Sequence, residues 1–282
     1  MDFNDEISIA SITVLYNPDD YVARNIDSYG NFVDYVILID NTVDDNFFKI
    51  NKCRWKNCIY IPLYDNYGIA KALNIGIHKA KELGCNWVLT MDQDSYIYEN
   101  IIDKYKDSII RNRNLNIAII SPIYLYDRGY AEKETTDQQR KMVMQSANLL
   151  SVNAYDSVGE FDEKLFIDGV DYEYCLRLRQ QGYVIIQCHD AYIKHSPAET
   201  RVLNLMGYTV FKYGYASPQR YYYQARNLLY IFVRYKNFYI LFIWMYKLWK
   251  IIFLFDKKKI FIKFFIKGVN DYFHGRFGKI RK

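Results

Sequence analysis

Two carboxylates one residue apart, Asp92 and Asp94, flank Gln93 directly after the apolar run 86–91 (NWVLTM). Acids so spaced, where a strand enters a loop, can share a hard cation such as Mg2+ or Mn2+. These ions take oxygen ligands from one or two carboxylates and from substrate phosphates. The other reading is a solvated turn that caps the next helix. A second acidic group holds Asp168, Asp171 and Glu173, followed by Arg177. Asp171 and Glu173 fall at a helix start, where the dipole favours negative charge. One acid is enough to cap a helix, and three exceed that need. A carboxylate here can accept a proton from an attacking hydroxyl, and Arg177 can pair with Glu173 at i,i+4. His195 ends the strand-like run 183–195 and is either a structural imidazole or the completion of a metal shell. The run 66–76 (NYGIAKALNIG) contributes Asn66, Gly68 and Asn74 at a helix start. Its small residues allow a phosphate to approach the helix N-terminus, or allow the helix to pack tightly on a sheet.

The elements that must position these groups are legible as an alternation. Residues 7–15, 34–40, 58–63, 86–91 and 116–121 read as strands, and 19–29, 68–83 and 98–111 as helices. Strands alternating with helices predict an α/β fold, a mostly parallel Rossmann-like sheet with helices on both faces. Ligands of such sheets bind beyond the carboxyl ends of the strands. Those ends carry Tyr16-Asn17, Asp40-Asn41 and Asp92-Gln93-Asp94, so three polar clusters converge on one edge. Further on, 127–141 reads as a polar loop able to close over a ligand, 143–152 as a strand, 171–181 as a helix and 183–195 as a strand.

Charge divides the chain. Residues 211–282 hold 16 Lys and Arg against Asp256 and Asp271, whereas residues 1–210 hold 21 basic and 30 acidic groups. A basic, aromatic tail on an acidic body points to an anionic surface. Segment 238–255 is interrupted by Lys247 and Lys250. A bilayer span needs about 20 apolar residues, and a central Lys costs roughly 2.5–3.5 kcal/mol. Segment 257–267 alternates Lys with Phe and Ile. Attachment in the plane of the headgroups is therefore expected, with a dimer interface or a flap on the core as the other reading. Its long aliphatic runs argue against nucleic acid as the partner. The five cysteines show no metal spacing, and the acidic N-terminus does not read as a secretory signal, so reduced thiols in a cytosolic protein are expected.

Taken in order, LYNP at 15–18, IDN at 39–41, NYGIAKALNIG, TMDQDS at 90–95, LFIDGVDYEYCLRLRQQGY at 165–183 and IKHS at 193–196 resemble family 2 of the inverting glycosyltransferases, which have the GT-A fold. The nearest likeness is to the bacterial rhamnosyltransferase branch, and it covers about residues 7–235. The resemblance implies that Asn17 and Asp40 contact the nucleobase, with Tyr16, Asn41, Asn66, Gly68, Asn74 and Gln93 in the nucleotide-sugar site. It implies Asp92 toward ribose and metal, Asp94 as direct metal ligand, and His195 near the metal or diphosphate. Asp171 matches the catalytic base, supported by Asp168, Glu173 and Arg177. Val170 stands where the family's common motif has Glu, and Leu73 where a polar residue often precedes the second Asn.

The resemblance further implies a Mg2+ or Mn2+ cofactor, a dTDP- or UDP-sugar donor and a glycan acceptor, lipid-linked and met at the cytoplasmic face of the inner membrane. dTDP-L-rhamnose is the expected donor; UDP-galactose, UDP-glucose and an inactive scaffold in a polysaccharide assembly complex are the alternatives. A GT-A domain is expected over 1–220, divided at residue 121 into nucleotide-binding and acceptor halves. A helical membrane-associating region is expected over 221–282. Deleting 238–282 is expected to release the protein from membranes and spare activity on a soluble acceptor.

Overall fold

The structure, a computed structural model, describes residues 7–44, 55, 57–125, 134–194, 199–205 and 208–281. The apolar, β-branched runs form β1 (Ile9–Leu15), β2 (Tyr35–Asp40), β3 (Cys58–Pro62) and β4 (Trp87–Asp92). Between them lie α1 (Val22–Asp27) and α2 (Ile69–Glu82). Then come α3 (Ile101–Arg111), β5 (Ile117–Leu125), β6 (Gln138–Arg140), β7 (Asn148–Ser151), α4 (Val152–Val158), α5 (Val170–Gln180) and β8 (Val184–Lys194). One eight-stranded sheet has the order β3-β2-β1-β4-β7-β5-β8-β6. Strands β1 to β4 run parallel, β7 is antiparallel to both β4 and β5, and β6 is antiparallel to β8. Val14 lies opposite Asp92 and Leu15 opposite Asp40, so the polar residues that follow β1, β2 and β4 emerge level with one another.

Alternation along the strands builds a core on each face. Ile37, Ile39 and Val88 pack with Leu73, Ile77, Tyr155, Tyr174 and Leu178 under α2, α4 and α5. Val36, Leu38, Leu89 and Met91 pack with Val22, Ile26, Ile101 and Tyr105 under α1 and α3. This period of two, buried on both faces, is what a sheet covered by helices on each side requires. Each large aliphatic side chain so buried contributes about 1.5–3 kcal/mol.

The expected strand 143–152 is only four residues long. Ala147 takes φ 59° and donates its N–H to Thr90 O at 2.7 Å, which turns the preceding segment away from the sheet. The expected loop 127–141 lies partly outside the described residues. Its described end forms β6 at the sheet edge, where Asp137 accepts from Ser108 Oγ (2.7 Å), Arg111 Nη2 (3.0 Å) and Asn112 Nδ2 (2.8 Å). That end is tied to α3 rather than poised over the strand ends.

A two-stranded ribbon of β9 (Glu199–Leu205) and β10 (Tyr208–Tyr215) leads to three helices, α6 (Pro218–Tyr235), α7 (Phe238–Leu254) and α8 (Lys258–Phe273). Pro218 in the first turn and Ser217 Oγ, which accepts from Arg220 N, start α6 as sequence rules require. Tyr213, Tyr221, Ala225, Ile251, Phe255, Phe261 and Phe265 form a core among β10, α6, α7 and α8. Gly268 of α8 lies so close to α6 that a Cβ there would sit 2.3 Å from Tyr222 O. The chain end packs back on residues that precede the ribbon: Gly278 N donates to Lys164 O at 2.9 Å, and Lys279 pairs with Asp65 at 2.8 Å.

Candidate active site

A cleft of about 670 Å³ opens at the carboxyl ends of β1 and β4. One wall carries Tyr16, Asn41, Asn66, Gly68, Asp92, Gln93 and Asp94; the loop Phe166–Asp171 forms a second; β10, α6 and α7 close the third. The two acidic groups therefore face one cavity, although 73 residues lie between Asp94 and Asp168 in the chain.

The acidic loop is held by strain on one side and by α6 on the other. Phe166, Asp168 and Gly169 all have positive φ, at 64°, 64° and 87°. For the two non-glycine residues this costs on the order of 1–3 kcal/mol each. Asn227 Nδ2 donates to the carbonyls of Leu165, Ile167 and Asp168 at 2.7–2.8 Å, and the fully buried Arg226 reaches Leu165 O at 3.2 Å and Gly278 O at 2.8 Å. Arg220 grips Asp168 with two parallel bonds, Nε to Oδ2 at 2.6 Å and Nη2 to Oδ1 at 2.7 Å. Gln224 Nε2 adds a third at 3.2 Å. The loop also meets the start of α2. Ile69 N donates to Phe166 O at 2.7 Å, and a Cβ on Gly68, whose φ is 87°, would stand 2.5 Å from that same oxygen. Gly68 is thus required both by its backbone angle and by close approach.

Electrostatics single out two of the acids. Burial pushes the Asp92 carboxyl up to about 7; Asp94 and Asp171 add to the rise and Arg220 opposes it. Asp171 is pushed up to about 6, again first by burial, with Asp168 raising it and the N–H of Tyr172 and Arg220 lowering it. Asp168 pushes the Arg220 guanidinium above its already high value. Asp168 is committed to that ion pair. Asp171 is the acid of the loop that combines an open cleft with raised basicity.

The other expected residues divide by direction. Gln93 and Tyr16 brace each other, Tyr16 N to Gln93 Oε1 at 2.7 Å and Gln93 Nε2 to Tyr16 O at 3.1 Å. Asn41 Nδ2 donates to Asn66 Oδ1 at 3.1 Å, which also receives Gly68 N at 3.0 Å. Asp40 is buried beneath them, accepting from Tyr60 OH at 2.6 Å, and does not line the cleft. Asn17 lies outside the lining too, its N–H donated to Thr42 Oγ1 at 2.9 Å. Asn74 is buried and clamps Phe161 by both N–H and carbonyl at 2.9 and 3.0 Å. Glu173 is buried and bound by Arg177 (2.9 and 3.1 Å) and Tyr235 OH (2.5 Å). Arg177 ties α5 to the carbonyls of Val158 and Glu160. His195 lies outside the described residues.

Four residues of α6 at this site, Arg220, Gln224, Arg226 and Asn227, carried no motif that sequence reasoning used. Nor did Gln145. Gln145 Nε2 and Gln224 Oε1 are buried without a hydrogen-bond partner among the described residues, and both side chains line the cleft. A buried donor and a buried acceptor thus lie beside one cavity with no described partner, whereas buried polar atoms otherwise find partners.

Asp92 and Asp94 fit a hard divalent cation. Their donor set is carboxylate oxygen, and a dication beside Asp92 would relieve the burial and repulsion that raise it. The one set of three close ligand-type side chains among the described residues is elsewhere: Asp137, Cys188 and Asp190. Burial raises Asp137, but bonds from Arg111, His189 and Ser108 outweigh it and hold the carboxyl well below its usual range. That set is a structural ion-pair network at the β6 edge.

Parallel strands ending on paired acids, with an acidic helix start across one cleft, are the arrangement of a GT-A type glycosyltransferase. The sequence profile "Glycosyl transferase family 2" matches residues 11–158, just over half the chain, and the chain belongs to that family. It is similar to the dTDP-rhamnosyl transferase RfbF of Shigella flexneri, 28% identical over 249 residues and covering 78% of each chain. In fold it resembles S. aureus TarS 1–349 in complex with UDP-GlcNAc, with TM-score 0.61, 16% identity, 96% of this chain and 84% of that one covered. It also resembles GalNAc-T7 with UDP, GalNAc and Mn2+, with TM-score 0.55, 14% identity, 75% of this chain and 45% of that one. Against the longer TarS chain it spans 40% of the length.

Proposed function

We propose that this glycosyltransferase is a divalent-metal-dependent, inverting rhamnosyltransferase that uses dTDP-L-rhamnose and a lipid-linked or growing surface glycan. The observation that carries the chemistry is the meeting of Asp92 and Asp94 with Asp171 across one cleft. The observation that carries the sugar is the likeness to the Shigella flexneri enzyme over most of both chains.

Asp94 and Asp92 are the residues to hold the cation, which when bound offsets the charge that builds on a departing nucleoside diphosphate. Tyr16, Asn41 and Asn66 line the nucleotide side, braced by Gln93 and by one another. Gln145 and Gln224 are suited to sugar hydroxyls. Asp171 takes the proton of the acceptor hydroxyl as that oxygen attacks the anomeric carbon from the face opposite the leaving group. With its carboxyl at about 6 it is ionised at neutral pH yet more basic than an ordinary Asp. Arg220 keeps Asp168 paired and so leaves Asp171 to act alone.

Attachment to the membrane is peripheral in this reading. No helix among the described residues is long and apolar enough to cross a bilayer. Yet α7 exposes Phe238, Phe242, Met245, Trp249 and Phe253, spaced three or four apart and hence on one face. The exposed Lys257, Lys258, Lys259 and Lys263 follow at the start of α8, matching an anionic lipid surface. In this reading 238–282 serves the cleft as well as the membrane, so its removal should cost activity on a soluble acceptor too, against the sequence expectation. Ile243, Tyr246, Lys247 and Lys250 of α7 line the cleft, and the chain end anchors Arg226. Point changes are the proper test: Phe242→Ser with Trp249→Ser should reduce co-sedimentation with anionic vesicles, and undiminished sedimentation refutes attachment through α7.

The donor is tested by thermal shift and nucleotide release with dTDP-L-rhamnose, UDP-galactose and UDP-glucose, each with Mn2+ or Mg2+. Rhamnose transfer with inversion from the dTDP donor is expected; turnover of a UDP sugar alone would replace the sugar assignment.

A further inference from the structure

We infer that the β9–β10 ribbon is a second membrane contact, which seats its outer half in the headgroup layer of an anionic bilayer beside α7. The inference rests on the peripheral attachment proposed above and deepens it with a surface that attachment through α7 does not require.

Residues 202–211 (VLNLMGYTVF) carry no charge. Apolar side chains of this run stand open to solvent: Val202 and Leu203 on β9 are 43% and 40% exposed, and Tyr208 and Val210 on β10 are 78% and 58% exposed. Val202 and Leu203 are neighbours on an extended strand and so point to opposite faces. The ribbon therefore shows apolar side chains on both faces, and among the described residues its strands pair only with each other. A two-stranded ribbon alone is marginally stable at best in water. A second protein packed on one face would leave the other bare, and one paired edge to edge would leave both bare. A lipid interface takes up both faces at once. The open strand edges set the depth, because their backbone N–H and C=O groups find no partner in hydrocarbon. Such a ribbon stops in the headgroup layer, where water still reaches its edges.

The sign of the charge agrees. From Thr200 to Phe255, a stretch that holds all of the ribbon but Glu199, the chain has eight Lys and Arg and no acid. Anionic lipid attracts such a surface. The base of the ribbon is fixed to the end of α7 that carries Trp249 and Phe253: Tyr213 OH donates to Leu254 O at 3.1 Å, and Tyr213 packs with Ile251 and Phe255. Tyr213 and Gly214 also line the cleft. The ribbon thus joins the apolar end of α7 to one wall of the cleft.

The full chain is co-sedimented with vesicles of phosphatidylethanolamine and phosphatidylglycerol, and with vesicles of phosphatidylcholine, while light scattering reads its mass in solution. Leu203→Ser with Tyr208→Ser should weaken binding to the anionic vesicles on the order of tenfold, by removing apolar area that lipid would cover. Its Tm should match the wild type, since both side chains are exposed. Leu203→Trp should bind more tightly than the wild type, because an indole favours the interface; a structural role for this position would not move binding upward. Phosphatidylcholine vesicles should bind all forms more weakly than anionic ones. Unchanged sedimentation of the Ser pair, or a Trp variant that binds no better than the wild type, overturns the inference. So does a wild-type dimer that becomes a monomer in the Ser pair, which gives the ribbon to a second copy of this chain. The α7 pair, Phe242→Ser with Trp249→Ser, is run beside it. Loss of binding in the ribbon pair alone refutes attachment through α7 and leaves the ribbon contact standing; loss in the α7 pair alone does the reverse.

Discussion

Replacing Asp171 by Asn should move activity and stability in opposite directions. The carboxyl is pushed from its ordinary value of 3.8 up to about 6 by burial and by Asp168. A raised carboxyl binds its proton more tightly in the folded chain than in the unfolded one. Its contribution to stability is therefore fully present below pH 4 and is lost as pH rises through about 6. At pH 7.5 the ionised group destabilises the fold by at most about 3 kcal/mol, less where water in the open cleft screens it. Asn has the same shape, keeps an oxygen for the N–H of Tyr172 (3.0 Å to Asp171 Oδ1) and carries no charge. The variant should thus melt a few degrees higher, about 2–4 °C for each kcal/mol recovered. The same change removes the proposed general base and should lower kcat by about 10²–10⁴-fold. The assays are calorimetric melting at pH 7.5 and nucleotide release under saturating donor and Mn2+. In the wild type, kcat/KM for the acceptor should fall about tenfold per pH unit below about 6, and in the variant this limb should vanish. Loss of activity with a lower Tm would mean that Asp171 serves the fold, and a near-normal rate would end its assignment as base.

Cation affinity should weaken as pH falls through about 7, because the cation must displace the proton that Asp92 then holds. Calorimetry in buffers of different ionisation enthalpy should show proton release, and Asp94→Ala should abolish metal-dependent donor binding. Gly68→Ala should cost at least about 1–3 kcal/mol, from its φ of 87° and the 2.5 Å approach to Phe166 O, and raise KM for the donor; urea unfolding and steady-state kinetics read both effects. Gln145→Met should leave Tm equal or higher, since it removes a buried donor that has no partner among the described residues, while raising a sugar-dependent KM about tenfold. A lower Tm with unchanged KM would show Nε2 to be structural. For Arg220 and Asp168, a double-mutant cycle in urea should give about 1–3 kcal/mol of coupling, below the value for a fully buried pair because the Arg220 side chain stays 39% exposed.

Chemical type and element were legible in the sequence; direction was not, except where geometry supplied it. The runs that became β1, β2 and β4 announced themselves by β-branched apolar residues bounded by polar ones, and their parallel order put Asn41 and Asp92–Asp94 at one edge. Asp40 and Asn41 are neighbours, and neighbours on an extended chain point to opposite sides. Asp171 and Glu173 are two apart on a helix, about 200° around the axis. One of each pair had to turn from the cleft, and Asp40 and Glu173 did so, Glu173 into the grip of Arg177 and Tyr235. Asn74 took a buried clamp on Phe161, a role open to any amide and invisible in spacing. Arg220, Gln224 and Asn227 carry no local pattern. They act on Asp168 from more than 50 residues away, and only the packed position of α6 brings them there.

That position changes what the C-terminal helices are for. Read as sequence, 221–282 is a basic aromatic appendage on a complete catalytic domain. In three dimensions the strained backbone at Phe166 and Asp168 is held by Asn227 and Arg226, whose donors reach the carbonyls of Lys164, Leu165, Ile167 and Asp168, and by Ile69 N on Phe166 O. Arg226 is in turn fixed by the chain end at Gly278, and α6 is wedged by Gly268 of α8. The path from the apolar face of α7 to the carboxylate of Asp171 therefore runs through rigid, buried contacts rather than a linker. On the proposed reading, the acceptor side and the membrane face are held as one body. A lipid that seats α7 in the headgroup layer would then fix the depth at which Asp171 meets an acceptor hydroxyl. This accounts for aromatic and cationic side chains on the same helix that lines the cleft, an arrangement that a detachable anchor would have no need of.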